Sequence, residues 1–290
     1  MSQTVVQPFY DTATGSFTYV VHDTSRDAAV VDPLLDFTVP SARVSTRSAD
    51  NVVAYVREHG LRVRWVLETH AHADHLSAGS HLRDVFGAQL AIGRGIVAVQ
   101  QRFKQLFGLD ESFRADGSQF DRLVDDGDVL PLGDVGVRVL ATPGHTDDSV
   151  TYLVGDAAFI GDTLFAPDGG SARCDFPGGN SARLYASIQR IYALPAQTRL
   201  FLCHDYPPAE RKAQPETTLV AQRSGNTHVR DGVSEADFVA MRNARDATLS
   251  PPRLILPALQ VNIRGGRLPD PDANGIAYIR LPINQIGAPK

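Results

Sequence analysis

The sequence is poor in cysteine, has no long hydrophobic run and carries no large excess of charge. Cys174 and Cys203 are the only cysteines among 290 residues, too few for a disulfide framework, which is typical of a reducing compartment. No stretch of about 18 apolar residues is present, so no transmembrane helix is predicted. The segment from Met1 to Tyr10 lacks the basic and apolar regions of a signal peptide. We therefore expect a cytoplasmic protein without a membrane partner.

The charge balance excludes another class of partner. Lys and Arg number 28, Asp and Glu number 33, and the formal net charge is −5. A protein that binds nucleic acid by neutralising phosphates needs a positive surface, so we expect no nucleic-acid partner. The length allows one large or two small domains, at about 100–200 residues per domain.

Strands alternate with helices over the first 205 residues, which predicts a mixed α/β core. The predicted strands are 17–22, 28–31, 63–67, 89–92, 135–141, 149–154, 157–160 and 199–203, and the predicted helices are 49–59, 76–86, 96–107 and 182–193. Segments 33–48 and 166–180 are predicted as loops. Later in the chain, a capping box that begins at Ser234 predicts a helix to about Ala244. Pro251, Pro252 and Pro257 predict short extended pieces after it.

The positions of the histidines are the most informative feature of the sequence. The segment Thr-His-Ala-His-Ala-Asp-His directly follows a predicted strand, and three further His or Asp residues each follow another strand. Strand ends of an α/β fold meet at one rim, where binding sites form, and imidazole and carboxylate groups are ligands for first-row metals. The sequence therefore predicts a metal site. Its candidate ligands are His70, His72, Asp74, His75, His145, Asp162 and His204.

These motifs resemble the metallo-β-lactamase superfamily. The histidine-rich segment, Gly-His-Thr at 144–146, Gly-Asp-Thr at 161–163 and Cys-His-Asp-Tyr at 203–206 occur in the order that this superfamily has. The resemblance implies an α/β fold of the αβ/βα sandwich type, with the metal site at the edge between two central sheets. It also implies a catalytic domain over residues 1–210 and a C-terminal extension over 211–290, which packs on that domain and contributes to the substrate pocket.

A closer resemblance is to the persulfide dioxygenases, on residues 68–75, 171–176 and 204–206; segments 226–232 and 260–266 are similar to the bacterial branch. It implies one iron(II) per chain, held by the catalytic residues His70, His145 and Asp162 with three open positions. The residues around that iron would be His72, Asp74, His75 and His204. The implied reaction oxidises glutathione persulfide with O2 to sulfite and glutathione, as in sulfide detoxification. This resemblance is compatible with a homodimer.

The residue types leave a second enzyme class open. In a hydrolase that resembles glyoxalase II, one metal takes His70, His72 and His145. A second metal takes Asp74, His75 and His204, and Asp162 bridges the two ions. A non-catalytic persulfide sensor is a third class, which the intact ligand set disfavours.

A pocket for glutathione, which has two carboxylates and one ammonium, needs Arg or Tyr donors. The candidates for substrate binding are Arg173, Tyr206, Arg223, Asn226 and His228. Arg173 is the best placed, because its loop begins a few residues after Asp162. Cys174 is interpreted as packing under this loop, with a redox-active thiol as the alternative, and Cys203 as packing at a strand end.

Overall fold

The computed structural model describes residues 4–286. The strands are β1 Val5–Asp11, β2 Ser16–His22, β3 Asp27–Val31, β4 Leu34–Thr38, β5 Arg43–Ser45, β6 Arg62–Leu67, β7 Leu76–Ser77, β8 Gln89–Gly93, β9 Arg122–Val124, β10 Val129–Leu130, β11 Val137–Ala141, β12 Val150–Val154, β13 Ala157–Phe159, β14 Arg199–Phe201 and β15 Glu216–Thr218. The helices are α1 Arg47–Glu58, α2 Gly79–Phe86, α3 Ile96–Phe107, α4 Ser181–Tyr192, α5 Leu219–Gly225, α6 Glu235–Asp246 and α7 Ile255–Asn262. Short 3-10 turns cover Val39–Ser41 and Gly161–Thr163.

Two six-stranded sheets form the centre of the molecule. Their strand orders are β1-β2-β3-β6-β8-β9 and β10-β11-β12-β13-β14-β15. Side chains alternate between the two faces of a strand: in β2, Phe17, Tyr19 and Val21 pack between the sheets, whereas Val20 packs on the helix side. Helices cover the outer face of each sheet. The predicted αβ/βα sandwich is therefore confirmed.

The prediction of a loop over 33–48 is wrong. Leu34 and Leu35 are buried, and β4 pairs with both β5 and β7 in a third, three-stranded sheet. Pro33 lies just before β4, and Pro40 lies in the turn that follows it. Each proline therefore lies outside the strand, where its missing amide hydrogen costs no ladder hydrogen bond.

Two further predictions of secondary structure also need correction. The helix predicted from residue 76 begins at Gly79, because Leu76 and Ser77 form β7. The extended pieces predicted around Pro257 are wrong, since α7 runs through it. Pro257 is the third residue of that helix, in the first turn, where amide groups have no partner within the helix and proline is tolerated. The helix predicted at Ser234 is confirmed, with Ser234 as its N-cap.

The chain after residue 210 spreads over both outer faces of the sandwich. Strand β15 adds an edge to the second sheet by pairing with β14. Phe238 of α6 packs with α4 outside that sheet, whereas Ala258 and Leu259 of α7 pack outside the first sheet. The boundary at residue 210 lies ahead of a sheet strand, and it stays a prediction. Within residues 4–286, no helix has both the length and the apolar character that crossing a bilayer requires.

Candidate metal centre

Loops at the ends of the central strands bring two imidazoles and one carboxylate together. His70 follows β6, His145 follows β11, and Asp162 lies in the 3-10 turn after β13. One ligand atom from each of these buried residues lies within 4.8 Å of the other two. Asp162 Oδ2 is 3.5 Å from His145 Nε2 and 3.8 Å from His70 Nε2. We refer to these three residues as the ligand group.

The Nδ1 nitrogen of each imidazole is hydrogen-bonded to another part of the protein. His145 Nδ1 lies 2.7 Å from the carbonyl of Arg173, and His70 Nδ1 lies 3.0 Å from Thr69 Oγ1. A hydrogen bond at Nδ1 fixes the ring and leaves Nε2 free for a metal. His70 Nε2 and Asp162 Oδ1 are buried without any hydrogen-bond partner among residues 4–286.

Burial, followed by the positive potential of neighbouring imidazoles, lowers the pKa of His70 well below its usual range. The His70 ring is therefore neutral, which is the form that binds metals. Buried polar atoms without partners are rare in proteins. Two imidazole nitrogens and a carboxylate that converge on one space fit a divalent first-row metal.

A second group could hold another ion beside the first. Ligand atoms of His72, His75, Cys203 and His204 also lie within 4.8 Å of one another. His204 Nε2 lies 3.0 Å from Asp74 Oδ2 and 3.4 Å from Asp162 Oδ1, and His75 Nε2 is buried without a hydrogen-bond partner in the described chain. Burial, followed by the charge of His72, lowers the pKa of His75 to about 3. Of the second-metal ligands in the hydrolase alternative, His75 and His204 are thus close together and Asp74 lies beside His204. His72, which that alternative gives to the first metal, instead groups with His75, Cys203 and His204.

His72 has a different environment. Its Nε2 lies 3.0 Å from Asp32 Oδ1 and 3.6 Å from Glu68 Oε2. Burial opposes the charged imidazolium, but the charge and hydrogen bond of Asp32 outweigh it and raise the pKa of His72 to about 10. Asp32 also accepts hydrogen bonds from the amide and hydroxyl of Thr69, at 2.7 and 2.9 Å. We refer to Asp32, Glu68 and His72 as the anchor group.

A cleft of about 610 Å³ opens above the metal centre, with Asp74, His145 and Asp162 at its base. Phe165, Phe176 and Tyr206 contribute aromatic walls. The arginines that line it are Arg173, Arg211, Arg242 and Arg245. Three of them form ion pairs: Arg173 with Asp175, Arg211 with Asp168 and Asp205, and Arg242 with Asp246. Within residues 4–286, no carboxylate pairs with Arg245.

The structure brings three of the five predicted substrate residues to this cleft, namely Arg173, Tyr206 and His228. The guanidinium of Arg173 is engaged by Asp175 at 2.6 Å and by the carbonyl of Ser250 at 2.7 Å. Burial, followed by the charge of Arg242, lowers the pKa of His228 to about 4. Nδ1 of this neutral ring accepts a hydrogen bond from the Ser171 amide at 3.0 Å.

The other two predicted substrate residues lie elsewhere. Arg223 lines a different cavity and pairs with Asp231 at the surface. Asn226 is fully buried, and its amide donates to Gly170 O and Gln222 Oε1. Neither side chain lines the cleft, because one is a surface ion-pair partner and the other caps a turn. Their placement gives no support to a role in substrate binding.

The two cysteines have the environments of packed thiols. Burial raises the pKa of Cys174 to about 12, and its backbone amide donates to Asp246 at 2.8 Å. Burial also raises the pKa of Cys203, whose Sγ lies 4.0 Å from His72 Nδ1. Both side chains are therefore neutral thiols at pH 7, so neither is an activated nucleophile.

The anchor carboxylates and three cleft arginines are not among the residues that the sequence predicts for the site. Asp32 and Glu68 directly follow predicted strands, as the ligands do, and this position is the signal that could have found them. Arg211, Arg242 and Arg245 lie in the C-terminal extension, where no motif marks them, and only the packing of the extension brings them to the cleft.

The fold and the metal centre define the class of protein. The family model for the metallo-beta-lactamase superfamily matches residues 11–204, and the chain belongs to this superfamily. It is 49% identical to a probable metallo-hydrolase of Burkholderia pseudomallei, over 97% of this chain and 99% of that one. It is 44% identical to Glyoxylase B2 of Dictyostelium discoideum, over 97% of each chain.

At lower identity the chain is also similar to persulfide dioxygenases of known name. The mitochondrial persulfide dioxygenase ETHE1 of Homo sapiens is 28% identical, over 85% of this chain and 90% of that one. The crystal structure of ETHE1 from Myxococcus xanthus matches with a TM-score of 0.72 and 29% identity, over 91% of this chain and 100% of that one.

Proposed function

We propose that this protein is an iron(II) persulfide dioxygenase. Glutathione persulfide, O2 and one water give glutathione, sulfite and two protons. Both oxygen atoms of O2 join the terminal sulfur, and water supplies the third oxygen of sulfite. The observation that carries this proposal is the ligand group, in which two imidazoles and one carboxylate converge below an open cleft. Such a three-ligand set leaves positions for two further reactants.

Iron(II) bound by these residues would supply the redox chemistry between the persulfide sulfur and O2. The residues of the chain would position the metal ligands. Thr69 and the carbonyl of Arg173 hold the two imidazoles through Nδ1, and Asp162 supplies the negative charge that balances part of the charge of the ion. The carbonyl of Arg173 also links a metal ligand to the wall of the substrate cleft.

The charges of the cleft support an anionic thiol as substrate. Arg245 is exposed at its rim and has no carboxylate partner in the described chain, so it is available for a carboxylate of glutathione. One charge-assisted hydrogen bond contributes about 1.5–3 kcal/mol. An Arg245→Gln variant is therefore expected to raise KM by about 10-fold with kcat retained, and an unchanged KM would remove this assignment.

A binuclear thioester hydrolase is the second candidate. The closeness of His75 to His204, with Asp74 3.0 Å from His204, favours it, because these three residues could hold a second ion. The names of the relatives from Burkholderia pseudomallei and Dictyostelium discoideum also favour hydrolysis. Two metals would then activate a water molecule for attack on an S-acyl glutathione.

Metal analysis combined with an oxygen electrode separates the two candidates. For the dioxygenase we expect one iron per chain, O2 uptake that requires glutathione persulfide, and sulfite as a product. A protein that holds two zinc ions, consumes no O2 and hydrolyses S-lactoylglutathione would overturn the proposal in favour of the second candidate.

A further inference from the structure

Asn262, the last residue of α7, reaches from the C-terminal extension to the backbone of the metal loop. Its Nδ2 donates to the carbonyls of His72 and His75, both at 2.8 Å. Its Oδ1 accepts from the amide of Ser77, also at 2.8 Å. The side chain is 4% exposed. A single buried carboxamide thus binds both ends of the loop segment that carries Asp74 and His75.

The chemistry of this contact is specific to asparagine. The loop presents two carbonyls and one amide hydrogen, and a carboxamide supplies two donors and one acceptor in matching number. Within residues 4–286, no backbone amide donates to the carbonyl of His72 or of His75. Without Asn262 these buried carbonyls would therefore be unsatisfied, at a cost of about 1–3 kcal/mol each.

The residues after Asn262 continue the same contact. The carbonyl of Gly265 accepts hydrogen bonds from the amide and hydroxyl of Ser80, at 2.9 and 2.5 Å. At Gly266 the backbone has φ +85°, and a Cβ atom would lie 2.7 Å from the carbonyl oxygen of Ser77. The close approach of the two segments therefore requires glycine at this position.

We propose that Asn262 is a positioning residue of the metal centre. It acts through the backbone of residues 72–77, and thereby sets where Asp74 and the Nε2 atom of His75 lie relative to the ligand group. The role assigned to Asn262 rests on the metal centre proposed above, but it is the same for oxidation and for hydrolysis. Partners that orient a metal site from outside its ligands are worth about 10–100-fold in metal affinity or activity.

Gln260 provides a matched control on the same helix. It is 1% exposed, its Nε2 donates to Arg280 O at 2.9 Å, and its Oε1 accepts from the Arg280 amide at 2.9 Å. Gln260 therefore links α7 to a backbone segment just as Asn262 does, but Arg280 in that segment donates to the carbonyl of Phe107 at the end of α3 and not to the metal loop. A change that merely loosens α7 would affect both variants alike.

The test compares Asn262→Asp with Gln260→Glu, since each replaces the donor amide by a carboxylate oxygen and keeps the acceptor. Co(II) is bound to each metal-free protein in competition with a chelator, and the visible absorption spectrum of bound Co(II) reports its geometry. We expect Asn262→Asp to weaken Co(II) binding by about 10–100-fold and to alter the spectrum. Gln260→Glu should leave affinity within about two-fold and the spectrum unchanged.

Asn262→Ala removes the same donors without adding a charge, and it takes the place of Asn262→Asp if circular dichroism shows that the latter is unfolded. Wild-type Co(II) affinity and spectrum in the folded Asn262 variants would overturn the proposal, as would equal losses in the Gln260 variant. Loss of folding in both Asn262 variants would overturn it as well, because Asn262 would then act on stability alone. If the wild-type protein itself binds no Co(II) or iron, the metal centre fails, and with it the proposed function.

Discussion

His70 and His72 lie two residues apart in one loop with ring centroids 4.1 Å apart, yet one imidazole is held neutral and the other charged. Burial lowers the pKa of both rings. Around His70 the next largest influences are other imidazoles, which lower its pKa further. His72 instead has Asp32 at 3.0 Å and Glu68 at 3.6 Å, and its pKa is raised to about 10.

One short loop thus carries both a residue that could bind a metal and a residue that belongs to a buried ion pair. In the ligand group, Nε2 of His70 and Oδ1 of Asp162 lack partners, so these residues become fully paired only when a cation is bound. In the anchor group, His72 and Asp32 are already paired with each other, and Glu68 Oε2 is the one atom of that group that lacks a hydrogen-bond partner among residues 4–286. We therefore expect changes in the ligand group to affect metal binding, and changes in the anchor group to affect the stability of the metal-free fold.

The largest expected effect is that of Asp162→Ala on metal binding. This change removes the only carboxylate of the ligand group, so iron retention and turnover should fall together, by more than the ~100-fold that partners outside the ligand set contribute. The unfolding free energy of the metal-free protein should change little, because one Asp162 oxygen has no hydrogen bond to lose. Metal content, O2 uptake and urea unfolding of the metal-free protein measure the three quantities.

Asp156→Ala is the control for this variant. Asp156 precedes β13, whereas Asp162 follows it, and it pairs with Arg199 at the surface. An exposed ion pair contributes at most about 1 kcal/mol, so this variant should keep its metal and its activity. Full activity in Asp162→Ala would remove Asp162 from the ligand group.

Asp32→Asn should show the reverse pattern. The variant keeps an acceptor for His72 and Thr69 but removes the charge, and breaking a buried ion pair costs about 3–5 kcal/mol. The unfolding free energy of the metal-free protein should fall by that amount, while a reconstituted protein should still bind one metal. Adding His72→Gln to Asp32→Asn should recover part of the loss, because no buried imidazolium then lacks its counter-charge. If Asp32→Asn loses its metal at unchanged stability, the division into two groups is wrong.

The ligand group could be predicted from the sequence because its signals are local. His70 is the third residue after an apolar strand, and Gly144 and Gly161 mark the turns that carry His145 and Asp162. An anchor residue such as Asp32 has no comparable motif, and its partner His72 lies 40 positions away along the chain. Only the parallel pairing of β3 with β6 brings the two together, and the sequence does not encode this pairing locally.

The C-terminal extension was predicted less well for the same reason, because packing between distant parts of the chain decides where its residues lie. Pro257 was interpreted through its local preference, but its position in the first turn of α7 removes the conflict with a helix. Arg223 is predicted at the pocket as a donor for a glutathione carboxylate, and Asn226 is predicted behind it, at the start of the segment that is similar to the bacterial branch. Tertiary packing places one at the surface and buries the other, and it is Arg245 on α6 that reaches the cleft.

The anchor group also predicts a pH dependence for the metal-free protein. The raised pKa of His72 contributes stability that is fully present below its usual value of 6.5 and is lost as pH rises toward about 10. The unfolding free energy should therefore fall between pH 7 and 9, by up to ~1.4 kcal/mol per pH unit. Urea unfolding of the metal-free protein across this range measures the slope.

Glu68 acts in the same direction, since burial raises its pKa to about 8. Stability from its protonated form is present below its usual value of 4.5 and is lost as pH rises through about 8. A Glu68→Gln variant removes this contribution and should keep a clear slope from His72. His72→Gln should have a much flatter profile, and an unchanged slope in that variant would show that His72 is not the charged member of the group.

The smallest expected effect is that of Cys203→Ala, and it tests how far the metal centre extends. Cys203 lies beside both groups, with its Sγ 4.0 Å from His72 Nδ1, but burial and the nearby carboxylates raise its pKa and keep the thiol neutral. If it only packs, the variant should lose about 1 kcal/mol of stability, as should the matched variant Cys174→Ala. Metal content and kcat should stay within about two-fold of wild type. If Cys203→Ala alone loses one equivalent of metal, then a thiolate completes a second metal site, and the binuclear hydrolase becomes the better description of the chain.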